Sequence, residues 1–298
     1  MSSFRPASPV LAEVARDRKQ HSLLPKRPPQ TTLGARPSPE PGTIRILLVV
    51  LAVFLLPLLL AAASFRGAEH WSAASWESAG IAPDPATHKE AMVQVYAART
   101  WGWKGSVAVH SWIVLKPENA PTWQRYDVVG WGVASGRPAV RRDIRAPDGY
   151  WAGNRPELVA ELRGEAAAAA IPRLLQAIRD YPYPQTYRTW PGPNSNSFVA
   201  YLARQVPELR AEMPPTAIGK DWLPGPSPLA LAPSGTGIQL SLFGVAGVLV
   251  ALEEGIEVNL LGFVVGVDPL DLAIKLPGLG RISCCRGSSP LAVPQQLD

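Results

Sequence analysis

The 298-residue sequence predicts an α+β fold carried on one membrane-spanning helix, with an antiparallel sheet, helices on one side of it and a glycine-punctuated, β-rich C-terminal segment. Three observations predict it. Ile46 to Ser64 is an apolar run without a charged side chain, and nineteen residues at helical rise cover about 28 Å, close to a bilayer's hydrocarbon core. Val107–Leu115 is a β-branched run without a turn residue and Ala139–Arg145 alternates with the period of a strand, whereas 165–178 and 195–205 repeat with that of helices. Finally, 32 prolines, 25 glycines and 10 tryptophans with 18% charged residues describe a loop-rich domain, unlike a helical bundle or coiled coil.

Residues 1–43 hold many prolines and charges and no apolar period, so they read as a disordered, basic cytoplasmic tail. The transmembrane helix follows at 44–65. Residues 1–45 carry eight basic side chains against three acidic ones, which places the N-terminus in the cytoplasm and the bulk of the chain outside, at a single-pass inner membrane. A cleaved signal, cut after Ala63 and before Ser64, is the other reading of the same stretch. Both export the rest of the chain. With the tail set aside the remainder is near neutral, and no nucleic-acid partner follows. Membrane lipid, met through residues 46–64, is the partner the sequence supports directly.

A juxtamembrane linker is expected at 66–89, where His70, Trp71 and Trp76 suit an interfacial aromatic belt. A short helix over His88–Ala98 then leads into the exported domain, 90–282. Val107–Leu115 reads as a strand buried on both faces, Gln124–Gly132 as its antiparallel partner and Ala139–Arg145 as a half-exposed third strand. Ile171, Leu174, Leu175 and Ile178 mark an amphipathic helix from Glu165, with Pro172 in its first turns. Pro191-Gly192-Pro193 forces a turn, after which Asn194 to Ser197 offer four N-caps to a helix striped by Phe198, Tyr201, Leu202 and Gln205.

Ile238 to Leu276 is apolar but broken by glycines. Ile238–Leu252 is fifteen residues and runs into Glu253 and Glu254, short for a second span, so β-hairpins with a Glu253-Glu254-Gly255 turn are expected. A membrane-embedded or monotopic segment stays as the alternative. Residues 283–298 read as a frayed tail holding the adjacent Cys284 and Cys285, which make no disulfide framework.

The chemistry has few candidates. Ser195, or Ser197 after it, is a hydroxyl at a helix N-terminus, where free amides and the helix dipole favour a nucleophile and an oxyanion; both residues are also ordinary capping types. His110 is the candidate base. Pairing Leu115 with Thr122 sets His110 across from Asp127, which would orient the imidazole. Asn194 caps the helix that carries Ser195. No zinc, calcium or dinucleotide motif occurs, so no metal and no cofactor are expected.

The blocks HSWIVLKPENA, YDVVGWG, WPGPNSNSF and GIEVNLLGFVVGVDPLDLAIKLPGLGRI resemble those of a bacterial envelope family known only as a domain of unknown function, over most of residues 90–282. More remotely, a strand histidine, an acidic residue on the next strand and Asn194-x-x-x-Phe198-Val199 resemble the circularly permuted papain-like enzymes. These include relatives of lecithin retinol acyltransferase and certain cell-wall peptidases, whose motif is Asn-Cys-x-x-Phe-Val. That likeness implies a hydrolase or an acyl or peptidyl transferase using Ser195, His110 and Asp127 on a peptidoglycan peptide or a lipid. Ser195 replaces the cysteine, and an alkoxide is a harder nucleophile to form than a thiolate. A non-catalytic relative that binds a peptide, glycan or lipid in the same cleft is the alternative.

Overall fold

A computed structural model describes residues 41–65 and 74–283. The proposed tail up to 40, His70 and Trp71 of the aromatic belt, and Cys284 and Cys285 lie outside the described residues.

Helix α1 (Pro41–Ser64) contains Pro57 and is, over Gly42–Ser64, the one described helix long and apolar enough to cross a membrane. Most of its side chains are bare, Ile46 at 67% and Leu59 at 67% exposed. Towards its end Phe54, Pro57, Leu58 and Ala61 are at least partly covered, a stripe at helical spacing that meets the rest of the chain. A Cβ on Gly278 would fall 2.7 Å from Ala61 Cβ and 3.4 Å from Leu58 Cδ2, and one on Gly105 would strike the Phe65 ring. Glycine at these points is what allows the close approach.

The first sheet has five antiparallel strands in the order β4-β3-β2-β1-β5: β1 Met92–Arg99, β2 Val109–Lys116, β3 Gln124–Val128, β4 Val140–Arg142 and β5 Glu157–Arg163. Helices α2 (Gly164–Arg179) and α3 (Ser195–Gln205) cover one face. Val93, Val95, Ile113, Leu115, Tyr126 and Val128 meet Ala170, Ile171, Leu174, Phe198, Val199 and Leu202 there. The other face carries Tyr96, Trp112 and Val114 under loops that bring in Trp76, Ile81 and Trp151.

Several expectations need correction. The stretch expected as a helix over His88–Ala98 forms β1 from Met92, at the middle of the sheet, because Gln94 and Tyr96 pair by a Tyr96 Oη–Gln94 Oε1 hydrogen bond of 2.8 Å and can alternate with valines. Strand β5 carries Glu157, Glu161 and Arg163, which hid its period among charges. Pro172 sits mid-way along α2, since the alanines after Glu165 already form the first turns. Trp76 belongs to the domain, not to a lipid belt: it packs edge-on to Trp151, centroids 5.5 Å apart, with the Arg145 guanidinium 4.3 Å above it.

The second sheet is a seven-stranded meander, β6 (Leu229–Leu231), β7 (Gly237–Leu242), β8 (Ala246–Ala251), β9 (Gly255–Leu260), β10 (Phe263–Asp268), β11 (Ala273–Leu276) and β12 (Gly280–Ser283), each beside the next. The expected hairpins are present, with the turn before Gly255 as anticipated. Its sidedness is inverted. The covered face carries Gln239, Ser241, Glu257, Asn259 and Lys275, while Ile238, Leu240, Val248, Val250, Ile256, Val258 and Ile274 face outward. On the covered face Lys275 Nζ donates to Glu257 Oε1 at 2.7 Å and stands in ion-pair range of Glu212 Oε1, also at 2.7 Å, and Lys220 pairs with the other Glu257 oxygen. Burial alone would push the Glu257 carboxyl up, but the two lysines outweigh it and hold it below the ordinary range. Such a cluster keeps its charges because each has a partner within reach.

Candidate functional site

The N-terminus of α3 is built by Asn194. Its Oδ1 accepts from the amides of Asn196 and Ser197, each at 3.0 Å, and its Nδ2 donates to the carbonyls of Thr189 and Ile218, each at 3.0 Å. Ser197 Oγ accepts from the Asn194 amide at 2.8 Å and completes a capping box. Asn196 Nδ2 donates to Val109 O at 3.0 Å and to Ile218 O at 2.8 Å, while its Oδ1 accepts from Ser111 Oγ at 2.9 Å. Three of the four candidate side chains are therefore committed to structure, Asn194 and Ser197 to capping α3 and Asn196 to joining it to β2.

Ser195 is the exception. Among the described residues its Oγ makes no hydrogen bond, and it lines a cavity of about 450 Å³. Ser197, fully buried in the capping box, is excluded as a nucleophile. The expected oxyanion site shrinks as well. The amides of Asn196, Ser197 and Phe198 are all taken by Asn194, which leaves the amide of Ser195 itself.

His110 and Asp127 come together by a different register from the expected one. Leu115 pairs with Gln124, not Thr122, and Ile113 with Tyr126, which sets Trp112 across from Asp127. The difference is two residues, so faces are preserved, and His110 reaches diagonally: its Nε2 lies 2.9 Å from Asp127 Oδ1. Arg125, two residues before Asp127 on the same face, binds both carboxylate oxygens, Nε to Oδ2 at 2.7 Å and Nη2 to Oδ1 at 3.0 Å. Its guanidinium sits 4.0 Å over Trp112, and the Trp151 ring stacks on His110 with centroids 3.5 Å apart.

This charge set decides the protonation of the histidine. Burial would raise the Asp127 carboxyl, but the Arg125 charge and the hydrogen bonds from His110 and Arg125 prevail and hold it at about 2. Burial lowers His110 below its usual value of 6.5, and although Asp127 opposes this, Arg125 has already neutralised that carboxylate. His110 is therefore a neutral imidazole that donates from Nε2 and keeps its lone pair on Nδ1.

His110 and Ser195 share the cavity but no hydrogen bond. Strand alternation explains why: Ser111 and Ile113 face α3, whereas His110 and Trp112 point to the other side of β2. Cavity and residues meet only at the strand's end, where Trp103, Val107, Trp190, Ile218, Leu261 and Phe263 supply an apolar lining. A second lobe, walled by Gly130, Trp131 and Trp151, shares His110, Thr100, Lys104, Tyr187 and Thr189 with the first. Sequence reasoning missed Arg125 and Trp151. Arg125 stands at the strand period from Asp127 and was legible there; Trp151 lies in a loop with no period to mark it.

Residues 90–222 match the model of a family described as "Protein of unknown function (DUF3750)". Residues 90–222 are thus similar to a domain of unknown function. The match takes in both halves of the cleft, His110 with Asp127 and Asn194 with Ser195, and stops before the seven-stranded sheet, so the C-terminal block of the resemblance lies outside it. No curated protein and no solved structure matches the chain.

Two outcomes follow from this geometry. Asn194→Ala should cost about 2 to 3 kcal/mol, since a lost cap is joined by two carbonyls left without a donor. Asn194→Asp should not rescue it, because its second oxygen would face the carbonyls of Thr189 and Ile218; thermal melting of both variants in detergent checks this, and a wild-type midpoint for the aspartate would refute the assignment. The second outcome concerns pH. With its pKa lowered on folding, His110 contributes stability in full above about 6.5 and loses it as pH falls toward the folded value, at a slope of up to about 1.4 kcal/mol per unit. Asp127 adds a second loss between its ordinary 3.8 and about 2. Urea midpoints from pH 7 to 5 should fall for the wild type and stay flatter for His110→Gln.

Proposed function

We propose that this is a membrane-anchored envelope protein, held by α1 with its N-terminus in the cytoplasm, whose extracytoplasmic cleft binds the acyl chain of a lipid. The observation that carries the reading is the cleft itself: a mostly apolar cavity in which the two polar groups best placed for chemistry, Ser195 and His110, lie on opposite sides of β2 and are not bonded to each other. Such a lining with a few convergent polar groups suits a ligand site. The basic flank supports the orientation.

A diazirine-bearing fatty acid should label the cleft-lining peptides of the wild-type protein in membranes, as mapped by mass spectrometry, and Val107→Trp, which fills the apolar wall, should reduce the labelling of those peptides several-fold while that of α1 persists. Equal labelling would mean that the cavity is not where the chain goes.

A second reading is favoured by one observation. Ser195 Oγ and His110 Nδ1 both stand free of hydrogen bonds among the described residues, on one cavity, with Asp127 fixing the tautomer that makes His110 a base. Hydrogen bonds of a catalytic pair are often long in the absence of substrate. On this reading the protein is a hydrolase or acyl or peptidyl transferase of permuted papain-like type acting on a lipid or a peptidoglycan peptide, with Ser195 as nucleophile. A fluorophosphonate probe separates the two. Under the binding reading neither the wild type nor Ser195→Ala is labelled; labelling of the wild type that is lost in both Ser195→Ala and His110→Ala would establish the enzyme.

A further inference from the structure

The outer face of the seven-stranded sheet is left uncovered by the described residues. Its cross-strand rows are aliphatic from one edge to the other. One row runs Leu231, Ile238, Val250, Ile256, Val267, Ile274, Ile282, one residue from each of β6 to β12, each paired with the next. The row beside it runs Leu229, Leu240, Val248, Val258, Val265. Neither row contains a charged or polar side chain. At about 4.8 Å between strands and 3.4 Å per residue the face measures roughly 30 Å by 20 Å, as large as or larger than the biggest apolar patch of an ordinary soluble monomer. Ile238 is 58% exposed and Leu242 54%, so nothing within the described chain covers it.

We infer that this face lies on the surface of the lipid bilayer, immersed among the acyl chains as a monotopic surface beside α1. Three observations select lipid over a second protein. The first is composition, because protein interfaces are enriched in Tyr, Trp, Met and Arg and ringed by polar groups, and these rows hold only Leu, Ile and Val. The second is the turns. Phe243-Gly244 and Leu261-Gly262 occupy left-handed hairpin turns, with φ of 54° and 73° in one and 55° and 88° in the other. Asn or Asp is the usual residue at the first of these positions, and a bulky apolar side chain there is strained. Both turns nevertheless present a large apolar tip, with Phe243 80% exposed. The third is depth. The β11–β12 turn touches α1 at Leu58 and Ala61 through Gly278, about 5 to 9 Å along the helix from its end at Ser64. That equals the 5 to 10 Å to which interfacial elements sink into a bilayer. The Leu261–Phe263 turn also lines the cavity, so docking brings the cleft to the lipid.

The depth argument rests on α1 being the anchor, and the test separates the two. The full chain, with Cys284 and Cys285 replaced by Ser, is spin-labelled at Val250→Cys or Ile256→Cys on the face, at Leu51→Cys in α1, or at Glu118→Cys on the exposed β2–β3 connection. It is then placed in phosphatidylethanolamine–phosphatidylglycerol vesicles. Relaxation by oxygen, which concentrates in lipid, should exceed relaxation by a water-soluble nickel chelate at Val250 and Ile256, as at Leu51, and the order should reverse at Glu118. Nickel-dominated relaxation at Val250 and Ile256 overturns the inference whatever Leu51 reports. Shielding from both reagents also overturns it, in favour of a face covered by a second copy. A water-exposed Leu51 with lipid-exposed Val250 would reject the anchor and leave the docking face standing.

Discussion

A charge taken out of water has to be answered where it stands, and on the far side of β2 that requirement organises the domain. Asp127 is fully buried, and Arg125 answers it with two hydrogen bonds. The guanidinium then needs a surface of its own, which Trp112 provides, and His110 takes the remaining direction under the Trp151 ring. Because the ion pair is already neutral, the histidine stays uncharged, and its tautomer is set by the carboxylate rather than by solvent. Loops that would otherwise be free to wander are held by the aromatic residues that enclose this pair.

The same logic governs the second sheet on a larger scale. Lys220 and Lys275 flank Glu257 beneath it, with Asp221 beside the first lysine and Glu212 beside the second, and removing one partner of such a buried set leaves an uncompensated charge. Here they specify which way the sheet faces. With lysines and carboxylates committed inward, the aliphatic side is the one left outside, so the apolar exterior is a result of the ionic interior and not a separate feature.

The elements with an unbroken apolar run or a clean period in the sequence were legible: β2, β3, the two long helices after them, and the glycine-punctuated hairpins that begin at Gly237. The order of the cleft's parts was legible too, since proline and glycine before Asn194 announce a turn and a capped helix. What failed did so for physical reasons. In β1, a buried glutamine and tyrosine satisfy each other and so mimic a polar helical face. The His110–Asp127 contact was anticipated with a register two residues away, because a shift by an even number leaves the face unchanged and no sequence pattern distinguishes the two. The separation of Ser195 from His110 across β2 was not legible, because chain order says nothing about which side of a strand a helix covers.

The β-meander carries two unlike surfaces on one ribbon, and neighbouring residues along every strand belong to opposite ones. Its coding sequence is therefore sensitive to parity. Losing or gaining one codon within β9 would swap Glu257 and Asn259 with Ile256 and Val258, driving carboxylate outward and aliphatic bulk onto the lysines, whereas a change of two codons restores the alternation. Within a strand the two surfaces are therefore kept only by length changes in pairs, and an odd change keeps them only where a turn takes it up.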